Sequence, residues 1–128
     1  SNAKSVIETK NAPSAIGPYS QAICFNGILY ASGQIPINPD TGDLVENDIE
    51  KQTRQVLKNI DAVLLQAGTT KDKIVKTTIF ITNINNSSQV NDIYADYFKG
   101  TIFPARSTVE VSALPKGALV EIEVIAGV

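Results

Sequence analysis

The chain contains 128 residues, of which 43% are hydrophobic and 6% aromatic, and its formal net charge at pH 7 is −2. This length and apolar content predict one domain with a core of aliphatic side chains, and they exclude two independently folded domains. The acidic balance, with 11 basic residues scattered along the chain, argues against a nucleic-acid-binding surface, because such surfaces cluster Lys and Arg.

The sequence carries no signal for a membrane or for export. Its apolar runs are too short to cross a bilayer, and its single cysteine, Cys24, cannot form an internal disulfide. These features predict a soluble, cytoplasmic protein with no membrane partner. Ser1, Asn2 and Ala3 resemble the remnant of a cleaved tag, so a single domain is assigned to residues 4–128.

The first quarter of the chain predicts a short strand, a loop and a hairpin. A strand is expected over residues 6–9, and the prolines and glycine of residues 11–18 then predict an ordered loop. Residues 21–25 and 28–32 flank Asn26-Gly27, a pair that suits a type I′ turn because both residues tolerate positive φ. A β-hairpin is therefore predicted, followed by a second loop.

The middle of the chain predicts two helices separated by a strand. Apolar residues recur at helical spacing over 48–67, with Asn47 and Glu50 resembling a capping box and Gly68 in the position of a C-terminal cap. Residues 73–82 are rich in β-branched side chains and predict a central strand. A second helix is expected from Ser87 or Ser88 as N-cap to a stop at Gly100.

The last 26 residues alternate between apolar and polar, which predicts two strands joined by a turn at 114–117. If these strands are neighbours with their apolar faces together, Arg106, Glu110, Glu121 and Glu123 share the opposite face. Such a group is either a solvated charged face or a polar pocket. In a pocket, the arginine fork would bind a carboxylate beside a glutamate that handles a proton. The pattern leaves both interpretations open.

The predicted elements describe an α+β domain in which two helices cover one face of a mixed, mostly antiparallel sheet. The other face would remain half apolar, which indicates a partner, most simply further copies of the same chain. The sequence has no histidine, so it contains no Ser-His-Asp triad and no zinc site of the usual ligand types. It also lacks a phosphate-binding loop, and we predict no metal and no cofactor.

Several motifs, in this order along the chain, together resemble the RidA (YjgF) family of enamine/imine deaminases. They are 16–21 (IGPYSQ), 32–36 (SGQIP), 74–80 (IVKTTIF), Val90-Asn91 with Tyr94, 103–107 (FPARS) and 120–123 (VEIE). The resemblance implies a chorismate-mutase-like fold of the bacillus type and a homotrimer with clefts between subunits. It also implies cofactor-independent hydrolysis of 2-aminoacrylate-type enamines and imines, such as 2-iminobutanoate and 2-iminopropanoate, to 2-keto acids and ammonia.

The same resemblance implies roles for individual residues. Arg106 matches the arginine that binds the substrate carboxylate, and Glu121 matches the acid that positions or activates water. Further residues at or near the cleft are Tyr19, Ser32, Gly33, Asn91 and Thr108. Thr108 stands where many family members have cysteine, which puts substrate preference and thiol regulation in question more than activity.

Two other functions remain open from the sequence. A binding module that senses a keto acid or an amino acid in the same cleft would keep Arg106 and dispense with Glu121. An endoribonuclease or translation inhibitor is disfavoured, because the chain is acidic and has no histidine.

Overall fold

The structure is a computed structural model that describes residues 3–128, so Ser1 and Asn2 of the predicted tag remnant lie outside it. Over these residues six strands form one sheet, in the order β1-β2-β3-β6-β4-β5. The strands are β1 (Ser5–Ile7), β2 (Ala22–Phe25), β3 (Ile28–Ala31), β4 (Ile74–Ile81), β5 (Ala105–Glu110) and β6 (Val120–Gly127), and the α-helices are α1 (Ile49–Gln66) and α2 (Ser87–Tyr97). The predicted arrangement of two helices on a mixed, mostly antiparallel sheet is confirmed.

The hairpin predicted around Asn26-Gly27 is confirmed. Strands β2 and β3 pair antiparallel, with Phe25 opposite Ile28. Between them Asn26 has φ 51° and Gly27 has φ 77°, so both turn residues adopt the left-handed conformation that a type I′ turn requires.

Both helices form where their periodicity predicts, but their N-terminal caps differ from the prediction. Asp48, and not Asn47, caps α1, because its side chain accepts a hydrogen bond of 2.8 Å from the backbone N–H of Lys51. Ser87 is the first residue of α2, and its hydroxyl donates 2.6 Å back to the carbonyl of Ile84. A cap depends on one local bond, which hydrophobic periodicity locates only to within a residue or two.

The predicted C-terminal hairpin is wrong. Strand β4 lies between the two C-terminal strands, pairing in parallel with β5 and antiparallel with β6. The physical reason lies in their side chains. Every second residue of β6 is buried, which suits a strand in the middle of a sheet, whereas β5 has no buried residue and suits an edge.

The predicted grouping of Arg106 and Glu110 with Glu121 and Glu123 is also wrong. Arg106 lies opposite Thr77 of β4, which is buried under α2, so its side chain is on the helix-covered face. Glu121 lies opposite Phe80, which points to the other face, and Glu123 shares that face. The carboxylate of Glu121 and the guanidinium of Arg106, which the prediction placed in one pocket, therefore lie on opposite faces of one sheet.

The helix-covered face holds the core, and the other face is open. The core includes Leu29, Val56, Ile60, Ile79, Ile81, Phe98, Val120 and Ile122, all at most 2% exposed. On the open face Val6 is 62%, Tyr30 47% and Val109 42% exposed. An apolar sheet surface of this kind is typical of an interface between subunits. Of the helices in residues 3–128, none is long and apolar enough to cross a membrane.

Candidate functional site

Glu121 and Gly33 are held against each other by an irregularity between β3 and β6. Tyr30 pairs with Ile125, but Gln34 pairs with Ile122, so the β3 side has one more residue than β6 between the two pairs. The extra residue turns Gly33 toward the carboxylate. A methyl group at position 33 would lie 2.2 Å from Glu121 Oε2, so the close approach requires glycine there.

Ser32 and Tyr19 join this pair through a loop fixed by hydrogen bonds. The hydroxyl of Ser32 donates 2.6 Å to the carbonyl of Ser20. The buried amide of Gln21 accepts a hydrogen bond of 2.7 Å from the N–H of Thr9 and donates one of 2.8 Å to the carbonyl of Pro13.

Tyr19, Ser32 and Gly33 line a common cavity. We call Tyr19, Ser32, Gly33 and Glu121 the acidic half-site.

Glu121 is half-buried, and burial raises the pKa of its carboxyl, with a smaller contribution from the charge of Glu123. Burial favours the neutral form because the carboxylate loses hydration, and a second negative charge acts in the same direction. A carboxylate with a raised pKa is a stronger base near neutrality. The electrostatics of this half-site therefore suit proton transfer.

Arg106 belongs to a second group, formed by β5 and α2. Its Nη1 donates 2.8 Å to Asn91 Oδ1, and its guanidinium carbon lies 4.9 Å from the centre of the Tyr94 ring. Both partners lie on α2, three residues apart and so on one face of the helix. The adjoining cavity of about 290 Å³ is lined by Asn91, Tyr94, Ala95, Phe103, Pro104 and Arg106. We call Arg106, Asn91 and Tyr94 the arginine half-site.

Tyr94 was not among the site residues predicted from the sequence. The pattern offered one signal, since Tyr94 lies one turn after Asn91 on the same helix. Its ring also belongs to the apolar stripe of α2, so the periodicity assigned it to the core. In the structure Tyr94 belongs to the core and to the site, because the residue is 4% exposed and its ring still contacts Arg106.

Thr108 lies two residues beyond Arg106 on the same face of β5, opposite Ile79. Its hydroxyl oxygen is buried and has no hydrogen-bond partner within residues 3–128. A buried polar atom without a partner is unfavourable. Thr108 therefore places an unsatisfied hydroxyl group on the same face of β5 as Arg106.

The predicted site residues thus form two groups that one chain cannot bring together. Arg106, Asn91 and Thr108 lie on β5 and α2, whereas Glu121, Gly33, Ser32 and Tyr19 lie at the junction of β3 and β6. No three His, Cys, Asp or Glu side chains between residues 3 and 128 are arranged to hold a metal ion.

Comparison with known proteins assigns the chain to a family. Residues 9–128 match the family described as Endoribonuclease L-PSP. The chain belongs to the RidA (YjgF) family. This confirms the resemblance predicted from the motifs, and it accounts for the two-helix, six-stranded fold.

RidA-family relatives are similar over nearly the whole chain. A RutC family protein of Pyrococcus horikoshii is 52% identical over 123 residues, covering 96% of this chain and 97% of the relative. The 2-iminobutanoate/2-iminopropanoate deaminase of Homo sapiens is 46% identical over 121 residues, covering 94% and 88%. The crystal structure of E. coli TdcF with bound serine has a TM-score of 0.93 and 40% identity, covering 97% and 98%. RidA relatives thus include an imine deaminase and a protein that binds an amino acid.

Proposed function

We propose that this protein hydrolyses 2-aminoacrylate-type enamines and imines to 2-keto acids and ammonia. The observation that carries the proposal is the half-buried carboxylate of Glu121, whose pKa is raised by burial and which packs against Gly33. Such a group can accept a proton from water as the water attacks a carbon atom. The human relative is named for this reaction with 2-iminobutanoate and 2-iminopropanoate.

Arg106 supplies the second requirement, recognition of a small carboxylate. Asn91 and Tyr94 hold its guanidinium, which leaves N–H groups to form a paired contact with two carboxylate oxygens. The serine bound by TdcF also has a carboxylate beside a nitrogen-bearing carbon. An imine of a small amino acid shares this chemistry.

The reaction proceeds in three steps. The enamine takes a proton on its terminal carbon and becomes the iminium ion, which is the protonated form of the imine. Water then adds to the carbon of the iminium ion while Glu121 accepts one of its protons, which gives a neutral carbinolamine. Glu121 returns this proton to the nitrogen, the C–N bond breaks to release ammonia, and the hydroxyl proton passes to Glu121 as the carbonyl of the keto acid forms. Arg106 holds the carboxylate throughout, so the imine carbon stays at one position.

The two half-sites must come from different copies of the chain. Arg106 and Glu121 lie on opposite faces of one sheet, and a substrate only a few atoms long cannot contact both within one subunit. We therefore assign the site to clefts between subunits of a homotrimer, with the open sheet face buried at the interface. The lone Cys24 is consistent with our proposal of a cytoplasmic location.

A coupled assay tests this function. A threonine or serine dehydratase generates the enamine, and 2-keto acid formation is followed with and without this protein. We expect acceleration by the wild type and a fall of about 10²- to 10⁴-fold with Glu121→Gln, which keeps the size of the side chain but removes the base. Glu123→Gln is the matched control, since Glu123 lies two residues away on the same face and is exposed; it should retain most of the activity.

The serine complex of TdcF favours a second candidate, a module that binds a keto acid or an amino acid without turnover. Pyruvate binding by wild type and Glu121→Gln alike, with no acceleration in the assay, would support that alternative. RNA cleavage, which the family description names, would instead require activity on RNA despite a net charge of −2.

A further inference from the structure

Arg106 is exposed on an edge strand, yet its guanidinium has two defined contacts. Asn91 accepts a hydrogen bond from Nη1 at 2.8 Å, and the Tyr94 ring centre lies 4.9 Å from the guanidinium carbon. An exposed arginine normally samples many rotamers, and ordering it on binding weakens the affinity for a ligand. Contacts of this kind restrict the rotamers of a free side chain and so reduce that loss.

Tyr94 is itself held firmly in place. Its ring is 4% exposed and packs at 4.7 Å, centre to centre, against Phe98. Its hydroxyl forms a buried hydrogen bond of 2.7 Å with Thr77 Oγ1 on β4. Thr77 lies directly opposite Arg106 in the sheet, so the strand that carries Arg106 is in register with the strand that fixes Tyr94.

We propose that Tyr94 is a positioning residue, whose ring holds the guanidinium of Arg106 ready for a substrate carboxylate while its hydroxyl fixes the ring to β4 through Thr77. The face of an aromatic ring attracts a cation and accepts a flat guanidinium group. Asn91 occupies one N–H group of Arg106 in the same arrangement. The identity of the substrate rests on the proposed function, but the effect of Tyr94 on Arg106 does not.

The hydroxyl and the ring of Tyr94 have separate tasks, and two variants distinguish them. Tyr94→Phe keeps the ring and removes only the bond to Thr77. Tyr94→Leu removes the ring and keeps an apolar side chain in the core. We expect the contact with Arg106 to weaken in the first variant, whose ring is no longer fixed to β4, and to be lost in the second.

Nuclear magnetic resonance of the arginine side chains gives a readout independent of activity. The chain has only two arginines, Arg54 and Arg106, and Arg54 pairs with Glu50 on the exposed side of α1, at 3.7 Å. In the wild type, the Arg106 Hε signal should be shifted by the ring current of Tyr94, while the Arg54 signal should not. The shift should be reduced in Tyr94→Phe and disappear in Tyr94→Leu, with Arg54 unchanged. A wild-type Arg106 signal that shows no ring-current shift would overturn the proposal even if Tyr94→Leu fails to fold.

Binding and turnover complete the test. Pyruvate is the probe for binding, and the coupled assay reports KM and kcat. Tyr94→Leu should weaken pyruvate binding and raise KM by about 2- to 30-fold, with a smaller effect on kcat. In an Arg106→Lys background, Tyr94→Leu should change neither pyruvate binding nor KM by more than about 2-fold, because the guanidinium that Tyr94 positions is gone. Equal effects in both backgrounds would show that Tyr94 is merely structural.

The proposed reaction and the role of Tyr94 can fail separately. No acceleration by the wild type would contradict the hydrolase function, while the Arg106 resonances and pyruvate binding would still decide the role of Tyr94. Acceleration by the wild type, together with an Arg106 signal unaffected by Tyr94→Leu, would contradict only the positioning role.

Discussion

The half-buried carboxylate of Glu121 lowers stability at neutral pH. Its pKa is raised from an ordinary value of 4.5, so the folded protein binds this proton more tightly than the unfolded chain does. Ionisation of Glu121 therefore opposes folding, and the penalty is present above the raised pKa and disappears below 4.5. Stability is reduced at the residue that the proposed reaction needs, as is common at active sites.

We predict that Glu121→Gln is more stable than the wild type at neutral pH. The substitution removes the charge whose burial is unfavourable, and the difference should vanish once the pH falls below the ordinary pKa of 4.5. Urea unfolding at several pH values, at one protein concentration, measures the effect. A gain of the same size with Glu123→Gln, whose side chain is exposed, would show that net charge rather than burial is responsible.

Arg106→Lys should reduce turnover strongly while preserving the positive charge. Lysine lacks the planar fork for a bidentate carboxylate contact and cannot stack in the same way on Tyr94. In the coupled assay, the reduction should appear mainly as a lower kcat/KM. A rate near that of the wild type would assign Arg106 a structural role instead.

Thr108→Cys, on the same strand, should be tolerated and should not lower the free energy of unfolding. The hydroxyl of Thr108 is buried without a hydrogen-bond partner among the described residues, and a thiol is less costly to bury than a hydroxyl. Thermal unfolding and the coupled assay check both properties. A marked loss of activity would mean that the hydroxyl contacts the substrate directly.

At the scale of the elements, the cap of α1 allows a matched pair of variants. Asp48→Ala removes the side-chain acceptor for the N–H of Lys51 and should lower the free energy of unfolding by about 1 kcal/mol. Asn47→Ala, one residue earlier and exposed, should change it by less than about 0.5 kcal/mol. Urea unfolding measures both changes. A larger loss with Asn47→Ala than with Asp48→Ala would show that Asn47 is the cap, as the sequence predicts.

Elements that depend on local sequence could be predicted from it. The spacing of Val56, Ile60 and Val63 places one stripe of α1 on the core, and Asn26-Gly27 fixes a turn through backbone conformations available to few other residues. In each case the residues that determine the structure lie within a few positions of one another.

The order of the strands and the assembly of the site could not be predicted in this way. Alternation along β5 and β6 shows that each strand has two faces, but not which strand lies beside it. Pairing them as neighbours placed Arg106 beside Glu121, whereas β4 separates the two strands and the two residues face opposite sides. The burial of every second residue in β6 marks it as a central strand, but the buried residues are known only once the whole sheet has been described.

For the whole molecule, we predict a homotrimer. The open sheet face exposes Val6, Tyr30 and Val109, and each half-site lacks the group that the other provides. Light scattering at micromolar concentration should give three times the mass of the 13.7 kDa chain. A monomer would contradict both the assembly and the proposed location of the site between subunits.

Mixing inactive subunits tests whether two subunits contribute residues to each site. Arg106→Lys subunits retain Glu121, and Glu121→Gln subunits retain Arg106. Refolded together in equal amounts, they should form some intact sites and recover about a quarter of the wild-type activity, as random assembly of symmetric trimers requires. No recovery above the separate variants, in trimers shown to be mixed, would mean that one subunit provides both groups.

The position of β6 has a consequence for the synthesis of the protein. This strand follows all the others in the sequence, yet it lies between β3 and β4, which have no pairing with each other. A nascent chain that still lacks β6 has two separate groups of strands and no continuous sheet, and long-range pairing of this kind is slow. Completion of the sheet must therefore await the emergence of β6 from the ribosome, and until then the edges of β3 and β4 that β6 will cover are unpaired, which favours aggregation.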